Sequence, residues 1–236
     1  MQRVLLASVV HETQHVFPLF QFHLDRCALP EILRPFRFGQ KPVKEKLRLA
    51  DLANGNQVWF SQGNLQYRAS TNTWRFATNQ YDYIGDANSN ISQTYSGWID
   101  LFGWGTSGYN HGATCYQPWS TSTNYNDYYA YRQYTYNLYD QTGRADWGYN
   151  AISNGGNATH QWRTLTQGEW DYVFNTRTTT SGIRYAKAKV NNINGVILLP
   201  DDWSSSYYSL SGTNNSDASF TSNTITASQW STLEQH

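Results

Sequence analysis

The fold is decided by residues 164–174, which read TLTQGEWDYVF. Thr166 and Glu169 have the spacing of a capping box, in which each side chain bonds the other residue's backbone N–H at a helix start. Trp170 and Phe174 follow at i, i+4 spacing, which places them on one face of a helix. The stretch therefore predicts an amphipathic helix that packs its aromatic face on a core.

Short apolar or alternating runs on both sides of this helix predict β-strands. These runs are residues 58–60, 65–68, 73–76, 183–190 and 196–199. The Gly-Asn pair at 63–64 predicts a hairpin turn between the first two strands, and the Asn-Gly pair at 194–195 predicts one between the last two. Residues 226–233 predict a second short helix, with Ser228 as its N-cap.

The composition of the 236-residue chain excludes some classes of protein. Lys+Arg and Asp+Glu both number 17, and a chain without basic excess is not expected to bind nucleic acid. No apolar run approaches the roughly 18 residues that cross a bilayer, and no clean cleavage site follows the apolar residues 4–10. A neutral surface rich in Asn, Ser, Thr and Tyr is typical of extracellular proteins, where we expect this protein to act.

The composition changes near residue 55, which suggests two regions. Residues 1–58 contain no Trp or Tyr, whereas the rest of the chain contains 28. We interpret residues 1–55 as an arm that is disordered, accessory or not native to the domain, and residues 56–236 as the domain. Within the arm, residues 43–53 predict a short linker helix. Cys27 and Cys115 fall in regions of different character and are expected to be free thiols.

Several motifs of the second region resemble known proteins. FSQGNLQY at 60–67, GWIDLFGWGTSG at 97–108 and LPDDW at 199–203 look like secreted or surface proteins of gut Bacteroidales. WRTL at 162–165 followed by EWDY at 169–172 resembles the WRLPTEAEWEYA helix of formylglycine-generating-enzyme-like domains, a branch of the C-type-lectin-like fold.

The resemblance implies an α+β fold with a small twisted antiparallel sheet, two helices and long irregular loops. It also implies closing strands after the second helix, so the domain looks incomplete at its C-terminus. The enzyme branch binds copper through two cysteines near its C-terminal end. Cys115 lies in mid-chain and Cys27 in the unmatched arm, so neither corresponds to that pair and the chemistry does not transfer.

Residues 86–92 are a calcium candidate because Asp86, Asn88 and Asn90 place side-chain oxygens at alternate positions. The stretch lacks a glycine at its sixth position and an acidic residue at its twelfth, which is Gly97. The alternative interpretation is an Asx-rich loop that hydrogen-bonds its own backbone. No other cofactor is indicated.

Other acidic residues have weaker claims to chemistry. Asp201 and Asp202 are adjacent, and adjacent side chains on an extended chain point apart, so they predict a turn cap or a bond to the Trp203 indole. Glu169 and Asp171 suit a helix start, where acidic side chains are favoured. The sequence carries no hydrolase, zinc-protease, nucleotide or dinucleotide fingerprint.

A dense run of tyrosines is the best binding candidate in the sequence. Its members alternate with Asn, Asp and Gln and are Tyr125, Tyr128, Tyr129, Tyr131, Tyr134, Tyr136 and Tyr139. Tyr combines a large rigid face with a hydroxyl group, which suits recognition surfaces. These tyrosines either form a recognition surface or pack the long loops onto the sheet. For Trp98, Trp104, Trp119 and Trp147 we expect packing.

These features favour a non-catalytic recognition module, outside the cell or on its surface, that binds a glycan or a surface protein. The alternatives are an enzyme of the formylglycine-generating class or a carboxylate glycan hydrolase, a structural adhesin module, and a gene fragment without independent function. The sequence leaves the ligand and the oligomeric state open.

Overall fold

The computed structural model describes residues 21–24, 49–50, 57–103, 105–109, 117–121, 144–165 and 167–234. These residues form a mixed α+β structure, as the sequence predicts. The strands are β1 (Gln21–Leu24), β2 (Leu49–Ala50), β3 (Gln57–Phe60), β4 (Leu65–Arg68), β5 (Thr73–Phe76), β6 (Trp162–Thr164), β7 (Tyr185–Val190), β8 (Ile193–Leu198) and β9 (Thr224–Ile225). The helices are α1 (Gln167–Asp171), which continues as a π-turn over Tyr172–Thr176, and α2 (Ala227–Leu233).

The described strands form three small sheets. One has the order β2-β3-β1-β6, the second is the β4-β5 pair, and the third has the order β8-β7-β9. The pairing of β7 with β9 is parallel, so the expectation of a purely antiparallel sheet is wrong there. Strand β1 pairs with both β3 and β6, and Leu49 and Ala50 are a strand rather than part of the predicted 43–53 helix.

The predicted hairpin between residues 58–60 and 65–68 is wrong. Strand β4 pairs instead with β5, with Tyr67 opposite Trp74. The sequence predicts a turn at Gly63, but a Cβ at this position would lie 2.6 Å from the backbone oxygen of Ala77. The glycine therefore marks a close approach of two backbones. The predicted alternation holds in β5, where Trp74 and Phe76 are buried, whereas in β4 Gln66 is buried along with Leu65 and Tyr67.

The second hairpin forms between the predicted segments, but its turn lies elsewhere. Asn191 and Asn192 connect β7 to β8, with φ values of 45° and 68°. Two successive residues of positive φ are the mark of a two-residue hairpin turn that matches the twist of its strands, and Asn tolerates this conformation. The predicted turn pair at 194–195 lies inside β8.

Both helices lie where the sequence predicts them. Helix α1 begins at Gln167, and the predicted cap Thr166 falls outside the described residues. The predicted cap of α2, Ser228, is wrong, because Thr226 has this role. The Thr226 hydroxyl accepts a bond from the Gln229 backbone N–H at 3.2 Å, and the Gln229 side-chain oxygen accepts one from the Thr226 N–H at 2.8 Å. This is a full capping box.

A cluster of buried aromatic side chains forms a core around strands β4, β5 and β6. Trp74, Phe102 and Trp147 form a chain of edge-to-face ring contacts, with centroid distances of 5.4 Å and 5.5 Å. Phe76 and Trp162 extend it, with ring centroids 4.7 Å apart. Such pairs add to the free energy gained by burying the rings. The packing predicted for Trp147 is confirmed, since this side chain is fully buried.

Candidate binding site

Two described segments, one before the tyrosine-rich residues in the sequence and one after them, are hydrogen-bonded to each other. Ser107 donates its hydroxyl hydrogen to the Arg144 carbonyl oxygen, and the Asn150 side-chain amide donates to the Ser107 carbonyl oxygen at 2.7 Å. The Arg144 guanidinium lies 4.7 Å from the centre of the Tyr109 ring and donates to its hydroxyl. We call Ser107, Tyr109, Arg144 and Asn150 the loop base.

Residues 117–121, which lie between these two segments in the sequence, also contact the scaffold. The Gln117 side-chain amide donates to the Gly108 carbonyl oxygen at 3.2 Å. Trp119, two residues further on, packs against the aromatic core, as the sequence predicts. The described residues 105–109, 117–121 and 144–150 are therefore all attached to the scaffold.

Asp146 fixes the loop base to strand β6. Its carboxylate is buried and accepts bonds from the backbone N–H groups of Gly148 at 2.8 Å and Thr164 at 2.9 Å, and from the Thr164 hydroxyl at 3.2 Å. Burial raises the pKa of Asp146 to about 6, although these bonds and the nearby Arg163 charge act in the opposite direction. All three bonds go to the protein's own groups, so this carboxylate acts as an anchor.

A largely buried ion pair lies next to this anchor. Arg163 donates to both carboxylate oxygens of Glu169, at 2.7 Å and 2.5 Å, and also to the Thr164 carbonyl oxygen at 3.1 Å. The two side chains are 10% and 13% exposed. Glu169, interpreted from the sequence as a helix-start charge, therefore joins helix α1 to strand β6 through a two-bond ion pair.

The predicted tyrosine site lies outside the described residues. This applies to Tyr125, Tyr128, Tyr129, Tyr131, Tyr134, Tyr136 and Tyr139, and also to Cys27, Cys115 and Trp104. The structure places the two ends of the segment that carries these tyrosines. The expectation that they bind a ligand stays a prediction.

The predicted calcium residues lie in a 3₁₀ helix, Gly85–Asn90. The Asn88 side-chain oxygen accepts bonds from the backbone N–H groups of Asp100 at 2.9 Å and Leu101 at 3.2 Å, and its amide donates to the Asp100 carboxylate at 2.9 Å. The Asn90 amide donates to the Ala87 carbonyl oxygen at 3.3 Å. These contacts favour the Asx-rich loop over a cation site.

Asp100 is the carboxylate that this loop encloses. It also accepts a bond from the Ile84 N–H at 2.8 Å, and burial raises its pKa while these hydrogen bonds lower it. Its contacts hold the 84–88 segment against the bridge at Ile99. Within the described part of the chain, no three His, Cys, Asp or Glu side chains cluster as metal ligands would.

The predicted bond between Asp201 or Asp202 and the Trp203 indole is wrong. Asp201 pairs with the buried Arg177 at 2.9 Å, and the Trp203 indole nitrogen is buried without a partner. Arg177 also donates to the carbonyl oxygens of Leu199 at 2.8 Å and Arg184 at 2.9 Å, so it joins three chain segments. Burial and the Asp202 charge raise the pKa of Asp201, while Arg177 lowers it.

One cluster of two arginines and a tryptophan is not predicted from the sequence. Two guanidinium groups lie over the ring of half-buried Trp98: that of Arg75 at 3.8 Å from the ring centre and that of Arg68 at 4.2 Å. We call Arg68, Arg75 and Trp98 the arginine patch. The alternation of residues 65–68 and 73–76 already placed both arginines on one polar face, but nothing in the sequence indicated that Trp98 would join them.

Comparison with protein-family models, curated proteins and solved structures finds no match to this chain. Among the residues described here, no helix is long and apolar enough to cross a membrane.

Proposed function

We propose that the chain is a non-catalytic recognition module with a C-type-lectin-like fold, which acts outside the cell or at its surface. In this proposal it binds a glycan or a surface protein through the tyrosine-rich residues 122–143. The observation that carries the proposal is the loop base, because it joins the described residues before position 110 to those after position 143, and binding residues are often presented between chain segments that a scaffold holds together.

The stability of the scaffold supports this interpretation. Trp147 lies close to the loop base, is fully buried, and donates its indole N–H towards the Thr106 hydroxyl at 3.5 Å. Asp146, one residue earlier, is bonded to strand β6. A loop that leaves from such fixed points loses less conformational entropy on binding than one that leaves from a mobile hinge.

The buried charges described above also fit a scaffold better than a catalytic centre. Asp146 bonds backbone and hydroxyl groups, Glu169 bonds Arg163, and Asp100 bonds the 84–88 segment. Each of these carboxylates joins two segments of chain. The tyrosines, interleaved with amide side chains, supply stacking faces and hydrogen-bonding groups of the kind that sugar rings and protein surfaces use.

The test is a binding screen of the full chain on an array of neutral and acidic oligosaccharides, followed by titration of each ligand found. The Tyr128→Ala/Tyr131→Ala double variant is expected to weaken binding at least tenfold, since aromatic residues dominate such interfaces. The matched control is Tyr83→Ala, which removes a tyrosine that is 42% exposed in a different loop.

Binding that survives in the double variant and falls in the control would overturn the proposal. Thermal melts of all three proteins check that the variants are folded, and a ligand that binds the native state raises the melting midpoint.

A further inference from the structure

The arginine patch lies on the face of the β4-β5 hairpin that points away from the aromatic core. Gln66 is opposite Arg75 in this pair, and Arg68 is opposite Thr73. Residues two apart on a strand share a face, so these four side chains all project to the side opposite Tyr67 and Trp74. Arg68 and Arg75 are diagonal neighbours, within reach of one aromatic ring.

Backbone pairing brings Trp98 to the same face. Tyr67 and Ile99 exchange two backbone hydrogen bonds, of 2.8 Å and 2.9 Å. Because they are paired, Ile99 projects to the core with Tyr67 and is fully buried. Trp98, the preceding residue, therefore projects to the other side, over the two arginines. The position of the patch follows from strand geometry and does not depend on a flexible loop.

The patch concentrates positive charge. Arg75 donates its Nε hydrogen to the Gln66 side-chain oxygen at 2.8 Å, and Arg68 Nε is buried without a partner. In the described ranges, the ion pairs are those of Arg163 and Arg177, so no described carboxylate neutralises either arginine of the patch. Burial and the Arg68 charge lower the pKa of Arg75.

Such an arrangement is expected to attract an oxyanion. Stacking on the Trp98 ring limits the motion of both guanidiniums, and the Gln66 bond fixes the Arg75 fork further. A planar guanidinium held in this way presents parallel N–H groups that match a carboxylate or a sulfate. An anion between the two arginines would also remove their mutual repulsion.

The surroundings of the patch favour a saccharide as the carrier of the anion. Thr71 and Thr73 are hydrogen-bonded to each other through their hydroxyl groups at 2.9 Å, and Thr71 and Asn72 are exposed beside the patch. Neutral hydroxyl and amide groups suit the hydroxyl groups of a sugar ring. We propose that the arginine patch binds the carboxylate or sulfate group of an acidic glycan.

This inference goes beyond the proposed function, because Arg68, Arg75 and Trp98 are not part of the tyrosine-rich segment. The experiment is calorimetric titration of the full chain with an oligogalacturonate for the carboxylate arm and a sulfated dextran oligosaccharide for the sulfate arm. Unmodified dextran of equal length and a poly-glutamate peptide are the comparison ligands. We expect at least one acidic saccharide to bind, the neutral one not to bind at the patch, and the peptide to bind at least tenfold more weakly.

The Arg75→Gln and Arg68→Gln variants are each expected to weaken this binding about 10- to 100-fold, the range for losing a hydrogen-bonded charge. Arg75→Lys keeps the charge and is expected to lose most of the affinity, because a lysine lacks the planar fork. The control is Lys187→Gln, which removes a positive charge that lies 4.6 Å from the Phe220 ring on strand β7. The control is expected to bind as the native chain does.

The inference is overturned if neither acidic saccharide binds, if poly-glutamate binds as tightly, or if the Arg→Gln variants keep their affinity while melting normally. A failure here is distinct from a failure of the proposed function. Neutral glycans that bind through Tyr128 and Tyr131 would leave the proposed function standing without the patch. Acidic glycans whose binding needs Arg75 but not these tyrosines would support the arginine patch and overturn the proposed function.

Discussion

Replacing Asp146 by asparagine tests the anchor beneath the loop base. Burial raises the pKa of Asp146 from 3.8 to about 6 in the folded protein. Between these two values the folded protein binds more protons than the unfolded chain, so the free energy of unfolding falls as the pH rises. A shift of about two units corresponds to about 3 kcal/mol, since each unit is worth about 1.4 kcal/mol.

The Asp146→Asn variant has no proton to lose at this position. The difference in unfolding free energy between native chain and variant should therefore shrink by about 3 kcal/mol from about pH 4 to about pH 6, and stay constant above that. The amide N–H₂ group of the asparagine also lowers the free energy of unfolding of the variant by an amount that does not depend on pH. It must face Gly148 or Thr164, which are both donors, at a cost of about 1–3 kcal/mol.

The assay is urea unfolding of native chain and variant at steps from about pH 4 to about pH 7, with the free energy obtained by linear extrapolation. Asp100 and Asp201 also have raised pKa values, but they are present in both proteins and cancel in the difference. The control is Asp217→Asn, which alters an exposed carboxylate. A difference between native chain and Asp146→Asn that is constant over this range would refute the reasoning.

Two further predictions concern backbone and charge near the same anchor. Gly148→Ala should destabilise the fold by about 2 kcal/mol or more, because the new Cβ would overlap the Trp162 carbonyl, whereas Gly168→Ala, with nothing within 4 Å, should raise stability by about 0.5–1 kcal/mol through helix propensity. Glu169→Gln should cost about 3 kcal/mol, since it leaves the Arg163 charge buried without its ion pair. Both are measured by denaturant unfolding with Gly168→Ala as the helix control. Equal midpoints for the two alanine variants, or a loss below about 1 kcal/mol for Glu169→Gln, would contradict them.

Local patterns in the sequence predict which residues form strands and helices better than they predict which strands pair. The alternation of residues 65–68 correctly predicts a strand and the burial of Leu65 and Tyr67, but Gln66 between them is buried as well. The pairing of this strand with β5 rather than β3, and the close approach of Gly63 to the Ala77 backbone, are tertiary features that a local pattern does not display. The same applies to the hairpin at Asn191 and Asn192, where the shorter Asn-Asn turn replaces the Asn-Gly pair expected from turn statistics.

Charged contacts are harder still to predict, because they join residues that are distant in sequence. Arg177 and Asp201 are 24 positions apart, and Asp146 and Thr164 are 18 apart. No spacing rule connects them, and only the folded chain shows that Asp146 receives three hydrogen bonds. The arginine patch is the intermediate case. Strand alternation predicts the shared face of its two arginines, and tertiary pairing supplies Trp98.

Three charged side chains with little solvent contact bond segments of the described chain that lie outside its strands. Only 14% of the residues are charged, so each charge that is buried costs solvation that few others offset. Asp146, Asp100 and Arg177 each bond a segment outside the strands to another part of the chain. Because these segments lie outside the three sheets, removing an anchor should release its segment before it unfolds the core. The proposed binding by the tyrosine-rich segment should therefore depend on Asp146, although the bonds of that carboxylate go to the protein's own groups.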